Sequence, residues 1–361
     1  MSLRPKPEIE NLKACPHGGI NHAELRAKGF APETVLDFSV CTNPFMPPPG
    51  IRKLLDTTAI EKYPDSETTE LRQRLSEMLG VAPDNILAGS GTTELIRLVD
   101  LTYFGKGDRI LILEPTYGEY EVACRVVGAE PIKQWMKMEG DFTPDIAETT
   151  DLIKKYRPRG IFICNPNNPT GKYLSRQEIE MVLDTIRDGI FIMDEAYTAF
   201  VEKSWSSIDL THRGNVVILR SMTKDYGLAG LRLGYAVASS EIINSLRRVC
   251  PPWNVNVVAQ KIGASVLEDT DYLEQSKRKI RKLKQFLLDE LSRLGFQTIP
   301  SDANFFLMKV GNAGAFRSAL LEKGILVRDC ASFGLPEYVR IAPRTMPECR
   351  RFITEIQAAK I

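Results

Sequence analysis

Lys224 stands just after the apolar run Val216–Leu219, in Ser221-Met222-Thr223-Lys224, and a stretch holding Gly227, Gly230, Arg232 and Gly234 follows it. An amine at the end of a buried strand, among small and apolar neighbours, is placed to lose its charge and act as a nucleophile. Asp194 follows the apolar run Ile190–Met193, so it is a carboxylate delivered to the edge of a core, where it needs a cationic or N–H partner. Asp194-Glu195 would also suit a magnesium ion, but no Gly-Lys-Ser/Thr phosphate loop lies upstream to accompany it. Tyr197 adds a phenol to the same loop. After Gly160–Cys164 comes Asn165-Pro166-Asn167-Asn168-Pro169-Thr170-Gly171, a rigid turn lined with amides. Pro115-Thr116-Tyr117-Gly118 offers an aromatic face to a planar ligand. Gly89-Ser90-Gly91-Thr92 precedes a helical segment, and small residues there leave N–H groups open to an anion.

Each of these loops alone has an ordinary reading as a turn. As a set they supply an amine for a Schiff base, an acid for a protonated ring nitrogen, an amide and a phenol for a ring oxygen, a stacking aromatic and an anion cradle. That inventory describes a pyridoxal 5'-phosphate site.

The loops follow a strand–helix rhythm. Short apolar runs at 85–88, 109–114, 160–164, 190–193 and 216–219 alternate with helical periods at 93–104, 119–127 and 175–187. This predicts an α/β fold with right-handed crossovers and a mostly parallel sheet, whose carboxyl ends gather the functional groups. The expected domains are an N-terminal arm at 1–50 that is part of a smaller domain, a large cofactor-binding domain at 51–252 and a small α+β domain at 253–361. The arm is rich in Pro and Gly, with Pro47-Pro48-Pro49-Gly50 favouring extended chain, and its Met-Ser-Leu start reads as an expression scar. The basic run KRKIRKLK reads as the solvated face of a helix.

Composition narrows the function classes. The chain has 361 residues, is 43% hydrophobic, and carries a net charge of +1 from 47 basic and 46 acidic residues. Disorder is excluded and no nucleic-acid partner is expected. Seven cysteines without a Cys-x-x-Cys spacing, and only three histidines, predict neither a disulfide framework nor a metal site. The sequence shows no membrane-length apolar run and no apolar signal core, so a cytoplasmic protein without a membrane partner is expected.

The spaced set Ser90-Gly91-Thr92, Asn168-Pro169-Thr170-Gly171, Asp194-x-Ala196-Tyr197, Ser221-x-x-Lys224 and Arg232 resembles the aspartate-aminotransferase-like, fold-type I pyridoxal phosphate enzymes, from about His17 to Arg344. The resemblance implies that Lys224 carries the cofactor and shuttles protons. It implies that Asp194 keeps the ring nitrogen protonated, that Asn168 and Tyr197 bond the ring oxygen, and that Tyr117 stacks on the ring. Ser90, Gly91, Thr92, Ser221 and Arg232 would hold the phosphate. Tyr63, in Lys62-Tyr63-Pro64-Asp65, matches a tyrosine lent to the partner subunit's cofactor, which implies a homodimer with shared active sites. Arg340 matches the arginine that pairs with a substrate α-carboxylate.

Two groups within the family are similar, histidinol-phosphate aminotransferases and threonine-phosphate decarboxylases of cobamide synthesis. His17-Gly18-Gly19, the segment Leu36-Asp37-Phe38-Ser39 leading to Asn43-Pro44, and Arg340-Ile341-Ala342-Pro343-Arg344 look more like the decarboxylase. The sequence departs from that pattern at Ile20-Asn21, where Asn should follow His-Gly-Gly directly. Arg328, Arg340 and Arg344, with His17 and Asn43, are the candidate substrate contacts. One carboxylate needs one guanidinium fork, so a phosphorylated amino compound accounts for the others. The expectation is a decarboxylase acting on O-phosphothreonine, with the alternative of histidinol-phosphate or another class I/II aminotransferase. A dinucleotide-dependent dehydrogenase fails on the glycine fingerprint, because Glu94 stands where the third glycine belongs. A non-catalytic regulator fused to a DNA-binding module finds no room for one before residue 50.

Overall fold

The computed structural model describes residues 3–45, 47–48 and 50–359. Met1 and Ser2 of the suspected scar, and Pro49 of the proline run, lie outside the described residues. The strands are β1 (Leu36–Asp37), β2 (Ile86–Gly89), β3 (Arg109–Glu114), β4 (Glu130–Trp135), β5 (Gly160–Cys164), β6 (Ile190–Asp194), β7 (Val216–Ser221), β8 (Gly234–Ala238), β9 (Phe306–Lys309), β10 (Ile325–Leu326), β11 (Arg328–Asp329) and β12 (Tyr338–Ile341).

A seven-stranded sheet runs β2-β8-β7-β6-β5-β3-β4, parallel except for β8, which is antiparallel to both neighbours. The apolar runs form its centre because both faces are covered. Ile161, Ile163, Phe191, Met193, Val216 and Ile218 face one core, while Phe162, Cys164, Ile190, Ile192, Val217 and Leu219 face the other. The period of two therefore places Asp194 and the residues after Leu219 at one edge of the sheet. Strand β8 carries no strong sequence signal. It begins at Gly234, where a Cβ would meet Arg220 O at 2.9 Å and Thr92 N at 3.0 Å, so only glycine lets it lie beside the anion-loop helix.

The remaining strands form a three-stranded antiparallel sheet, β11-β12-β9, and a parallel pair in which Leu36 and Asp37 of the arm lie against Ile325 and Leu326 of β10. The division between the two cores does not fall at residue 252. The helix Val257–Val266 buries Ala259, Ile262 and Val266 in the large-sheet core. The helix Thr270–Arg293 crosses over, packing Tyr272 and Leu273 on that core and Leu283, Leu287 and Leu291 in the smaller one. Of its basic run, Arg278, Lys279 and Lys282 are exposed, but Lys284 departs from the expected solvated face and turns inward, donating to Ser301 O at 2.5 Å and Ala303 O at 2.7 Å. No helix among the described residues is long and apolar enough to cross a membrane.

Candidate active site

The sheet register sets the floor of the site. Cys164 pairs with Asp194, and Asp194 with Leu219, so the loops after β5, β6 and β7 leave side by side. Asp194 is 3% exposed, accepts from Tyr120 Oη at 2.8 Å through Oδ2, and accepts from Ala196 N at 2.9 Å through Oδ1. Burial pushes its carboxyl up to about 6, while the Tyr120 hydroxyl and the Ala196 N–H pull the other way. The two donors satisfy the demand for a polar partner, and a protonated ring nitrogen would supply the missing positive charge. Glu195 points elsewhere. It pairs with Arg220 at 2.8 Å, which leaves no Asp-Glu pair open to magnesium.

Lys224 lies in the short helix Met222–Asp225, with Nζ 6.0 Å from the Tyr197 ring centroid. Burial first, and then the nearby guanidinium groups of Arg340 and Arg232, push its amine below the ordinary lysine range. That shift favours the neutral, nucleophilic form. Asn43 holds this segment: its N–H donates to Lys224 O at 2.8 Å, and its Nδ2 donates to Asp225 O at 2.9 Å and to Tyr272 Oη at 3.2 Å. Its Oδ1 accepts from Phe45 N at 3.0 Å, so the amide expected to bind substrate is used up in clasping the lysine loop.

The anion cradle sits at the start of the helix Thr92–Tyr103. Gly91 has φ +78°, and a Cβ on it would lie 2.7 Å from Arg232 Nη2, so glycine is what lets the guanidinium approach. Ser90 stands outside the cavity lining; its N–H is donated to Glu94 Oε2 at 2.7 Å, and the Gly91 N–H to Gly89 O at 2.7 Å. Glu94 also accepts from Asn254 Nδ2 at 2.7 Å and so braces the loop from behind. Ser221 Oγ and Thr223 Oγ1 share a hydrogen bond of 2.7 Å.

One cavity brings together Gly91, Thr92, Tyr117, Asn168 and Asp194 with Tyr197, Ser221, Lys224 and Arg232. Thr93, Tyr120, Cys164, Ala196 and Thr223 line it as well; Ala196 and Thr223 stand in the motifs quoted above without a role, and none was expected for Thr93, Tyr120 and Cys164. Tyr117 forms a wall, its hydroxyl 3.1 Å from Thr93 Oγ1 and pushed up to about 12 by burial. Tyr197 packs edge-on against Phe305 at 4.9 Å.

The other expected residues stand outside that lining. Arg340 is 6% exposed, donates to Asn168 Oδ1 and to Ser39 O, and lies 5.2 Å over the Phe305 ring; its Nε has no partner among the described residues. Arg328 donates to Pro16 O at 2.7 Å and Ser332 Oγ at 2.7 Å, and bonds His17 O at 3.3 Å, so it fastens the arm. Arg344 has a buried Nε without a partner among the described residues. Asn21 caps the helix His22–Ala27 by accepting from Ala23 N and Glu24 N. Tyr63 is 79% exposed and stacks on Trp253 at 4.4 Å, away from the cavity of its own chain.

His17 does not reach the cavity lining either. Its Nε2 lies 3.0 Å from Glu119 Oε1, and its ring is 5.9 Å from that of Tyr117. Cys15 Sγ completes a group of three in which the ligand-type atoms lie within 4.8 Å of one another. Against the expectation of no metal site, this is one place among the described residues with the donors for one. Spacing did not reveal it because Glu119 is 102 positions from His17.

The profile of the aminotransferase class I and II family matches residues 33–356. Among curated proteins, the histidinol-phosphate aminotransferase of Thermoanaerobacter pseudethanolicus is 36% identical over 81% of this chain and 82% of its own. Among solved structures, the histidinol-phosphate aminotransferase of Clostridium acetobutylicum superposes with a TM-score of 0.83 at 27% identity, over 90% of this chain and 99% of its own. The L-threonine-O-3-phosphate decarboxylase of Porphyromonas gingivalis gives a TM-score of 0.77 at 28% identity, over the same 90% and 99%. With an amine, a buried acid, an aromatic wall and an anion cradle converging on one cavity, this chain belongs to the class I and II aminotransferase family and is a pyridoxal phosphate enzyme.

Proposed function

We propose that this enzyme transfers the amino group of a phosphorylated amino compound, with histidinol phosphate as the substrate to test first. The observation that carries this reading over decarboxylation is the 36% identity to a histidinol-phosphate aminotransferase, and Arg340 fits it. Its guanidinium is buried and held by Asn168 and Ser39, with Nε left over. A transaminase must accept two anionic substrates in turn, and one fixed fork beside the pocket serves the phosphate of one and the carboxylate of the other. This reading reverses the order in which the sequence motifs alone rank the two reactions.

The cavity residues take these roles in the proposal. When bound, pyridoxal phosphate supplies an electron sink for whichever bond at the amine-bearing carbon stands perpendicular to its ring. Lys224 Nζ attaches the cofactor and, when released, takes and returns a proton at that carbon. Asp194 holds the proton on the ring nitrogen. Asn168 and Tyr197 are the donors for the ring oxygen, and Tyr117 covers one face. The Thr92 N–H, the Ser221 hydroxyl and Arg232 receive the phosphate, with Gly91, whose own N–H is donated to Gly89 O at 2.7 Å, leaving the room for Arg232 to approach. Tyr63, exposed on its own chain, reaches the site of a second copy in a homodimer. All seven cysteines are free thiols, which suits a reducing, cytoplasmic setting.

A second reading, decarboxylation of O-phospho-L-threonine, is favoured by Arg344, whose buried Nε lacks a partner among the described residues. The packing of His17-Gly18-Gly19 also favours it: a Cβ on Gly18 would strike Ser39 O at 2.8 Å, and Gly19 N donates to Ser39 Oγ. The test gives the holoenzyme either histidinol phosphate with 2-oxoglutarate or O-phospho-L-threonine alone. Glutamate formed in the first mixture supports transamination. Carbon dioxide from the second, with no glutamate from the first, overturns it.

A further inference from the structure

Cys15, His17 and Glu119 come from two separated segments, the N-terminal arm and the first turn of the helix Glu119–Val126. Each is held by contacts of its own. The Glu119 side chain is 7% exposed and anchored through Oε2 to Arg97 at 3.1 Å, which leaves Oε1 turned to His17. The arm is fixed by Arg328 on the carbonyls of Pro16 and His17. Cys15 Sγ sits where a Cβ on residue 118 would stand, 2.6 Å from that position, so the thiol fits only against a glycine. These contacts hold one sulfur, one imidazole nitrogen and one carboxylate oxygen within 4.8 Å of one another.

We propose that Cys15, His17 and Glu119 form a zinc site that pins the N-terminal arm to the large domain beside Tyr117. A thiolate, an imidazole and a carboxylate are the donor types zinc takes, at about 2.3 Å for sulfur and about 2.0–2.2 Å for nitrogen and oxygen. Tetrahedral bonds of those lengths put ligand atoms roughly 3.3–3.8 Å apart, within reach of the present spacing by small side-chain rotations. The sulfur selects against magnesium and calcium, which take oxygen ligands. Binding displaces the thiol proton of Cys15 to solvent, and the thiolate and carboxylate together balance the charge of the ion. The fourth position faces solvent, since the His17 side chain is 51% exposed, and water fills it.

The experiment uses metal-stripped holoenzyme titrated with zinc chloride by calorimetry, wild type against Cys15→Ser, with magnesium chloride as the control cation. Folding of the variant is checked by circular dichroism. One zinc per chain is expected to bind wild type at least about tenfold more tightly than Cys15→Ser, and magnesium is expected not to bind. X-ray absorption at the zinc edge should show one sulfur among nitrogen and oxygen neighbours. Zinc should also slow tryptic cleavage after exposed Lys13 in wild type but not in the variant. Equal zinc binding by wild type and Cys15→Ser, a zinc shell without sulfur, or cleavage at Lys13 indifferent to zinc would overturn the proposal. These readouts need no substrate, so they stand or fall independently of the reaction assigned above.

Discussion

Tyr120 donates its hydroxyl to Asp194 across 74 positions of sequence, at 2.8 Å, in a site where both side chains are buried. The phenol ring is stacked on Phe162 at 4.8 Å with 9° between planes, so the hydroxyl is fixed in place. Tyr120→Phe keeps that stacking and removes one charge-assisted hydrogen bond, worth about 1.5–3 kcal/mol when Asp194 is ionised. The sign with pH follows from the raised carboxyl. Asp194 titrates near 6 in the folded cofactor-free protein, and losing the Tyr120 bond moves it higher. A raised carboxyl contributes most to stability below its unfolded value, near 3.8, and that contribution disappears as pH rises through the folded value. The deficit of Tyr120→Phe against wild type should therefore be small at pH 5, grow from pH 6 to about pH 7–8, since about 1.5–3 kcal/mol is about one to two pK units, and then level off. Melting temperatures of both cofactor-free proteins across that range check it, and parallel curves would mean that the bond does not tune Asp194.

Lys224→Ala should abolish turnover while the cofactor still binds without a covalent link. The amine is partly buried, depressed by burial and by Arg340 and Arg232, and sits among the cavity residues. Borohydride should fix cofactor to the wild-type chain and leave none on the variant. Full activity in Lys224→Ala would place the reacting amine elsewhere.

The legible part of the site is the part made by residues that follow buried strands. Lys224 and Asp194 were readable because four apolar residues precede the one loop and the other, and apolar runs of that length form strands of a covered sheet. Tyr120 was not readable, because a tyrosine on a helix faces inward or outward by tertiary packing, here against Phe162. Asn43 looks like a ligand through its place at the end of the decarboxylase-like segment Leu36-Asp37-Phe38-Ser39 to Asn43-Pro44; only the folded chain shows its amide spent on Asp225 and Tyr272. Strand β8 is hard to read because Gly-Tyr-Ala-Val-Ala, with one Val and no Ile or Leu, lacks the bulky branched residues that mark Gly160–Cys164 and Val216–Leu219. The basic run KRKIRKLK reads as part of a helix, yet nothing in that run reports that the helix Thr270–Arg293 serves two cores.

Tyr63 offers a test of shared sites. It is exposed and stacked on Trp253, with no place in the cavity of its own chain. Tyr63→Ala and Lys224→Ala should each be inactive or nearly so as homodimers. Mixed under conditions of subunit exchange, they should recover activity, because one heterodimer site then holds both Lys224 of one chain and Tyr63 of the other. Subunit exchange is verified with differently tagged chains. An absence of recovery once exchange is proven would leave Tyr63 as a surface residue.

Arg344 and Arg340 separate the two substrate readings. Arg344 carries a buried Nε without a partner among the described residues, whereas Arg340 is tied to Asn168 and Ser39. If Arg344 receives phosphate, Arg344→Gly should weaken binding of O-phospho-L-threonine by roughly ten- to a hundredfold, the loss of about 1.5–3 kcal/mol from a charge-assisted contact. L-threonine should be almost unaffected, since it has no phosphate to lose. Arg340→Lys should weaken both, because both carry a carboxylate and an ammonium cannot reproduce the planar fork. The Arg340 change is kept to lysine because truncation would strand the buried oxygens of Asn168 and Ser39. Binding is read from the cofactor absorbance on titration with each amino acid, with melting temperature as the check on folding. Should Arg344→Gly depress both ligands alike, or neither, Arg344 is no phosphate ligand. The decarboxylase reading then loses the residue that favours it, and transamination stands alone.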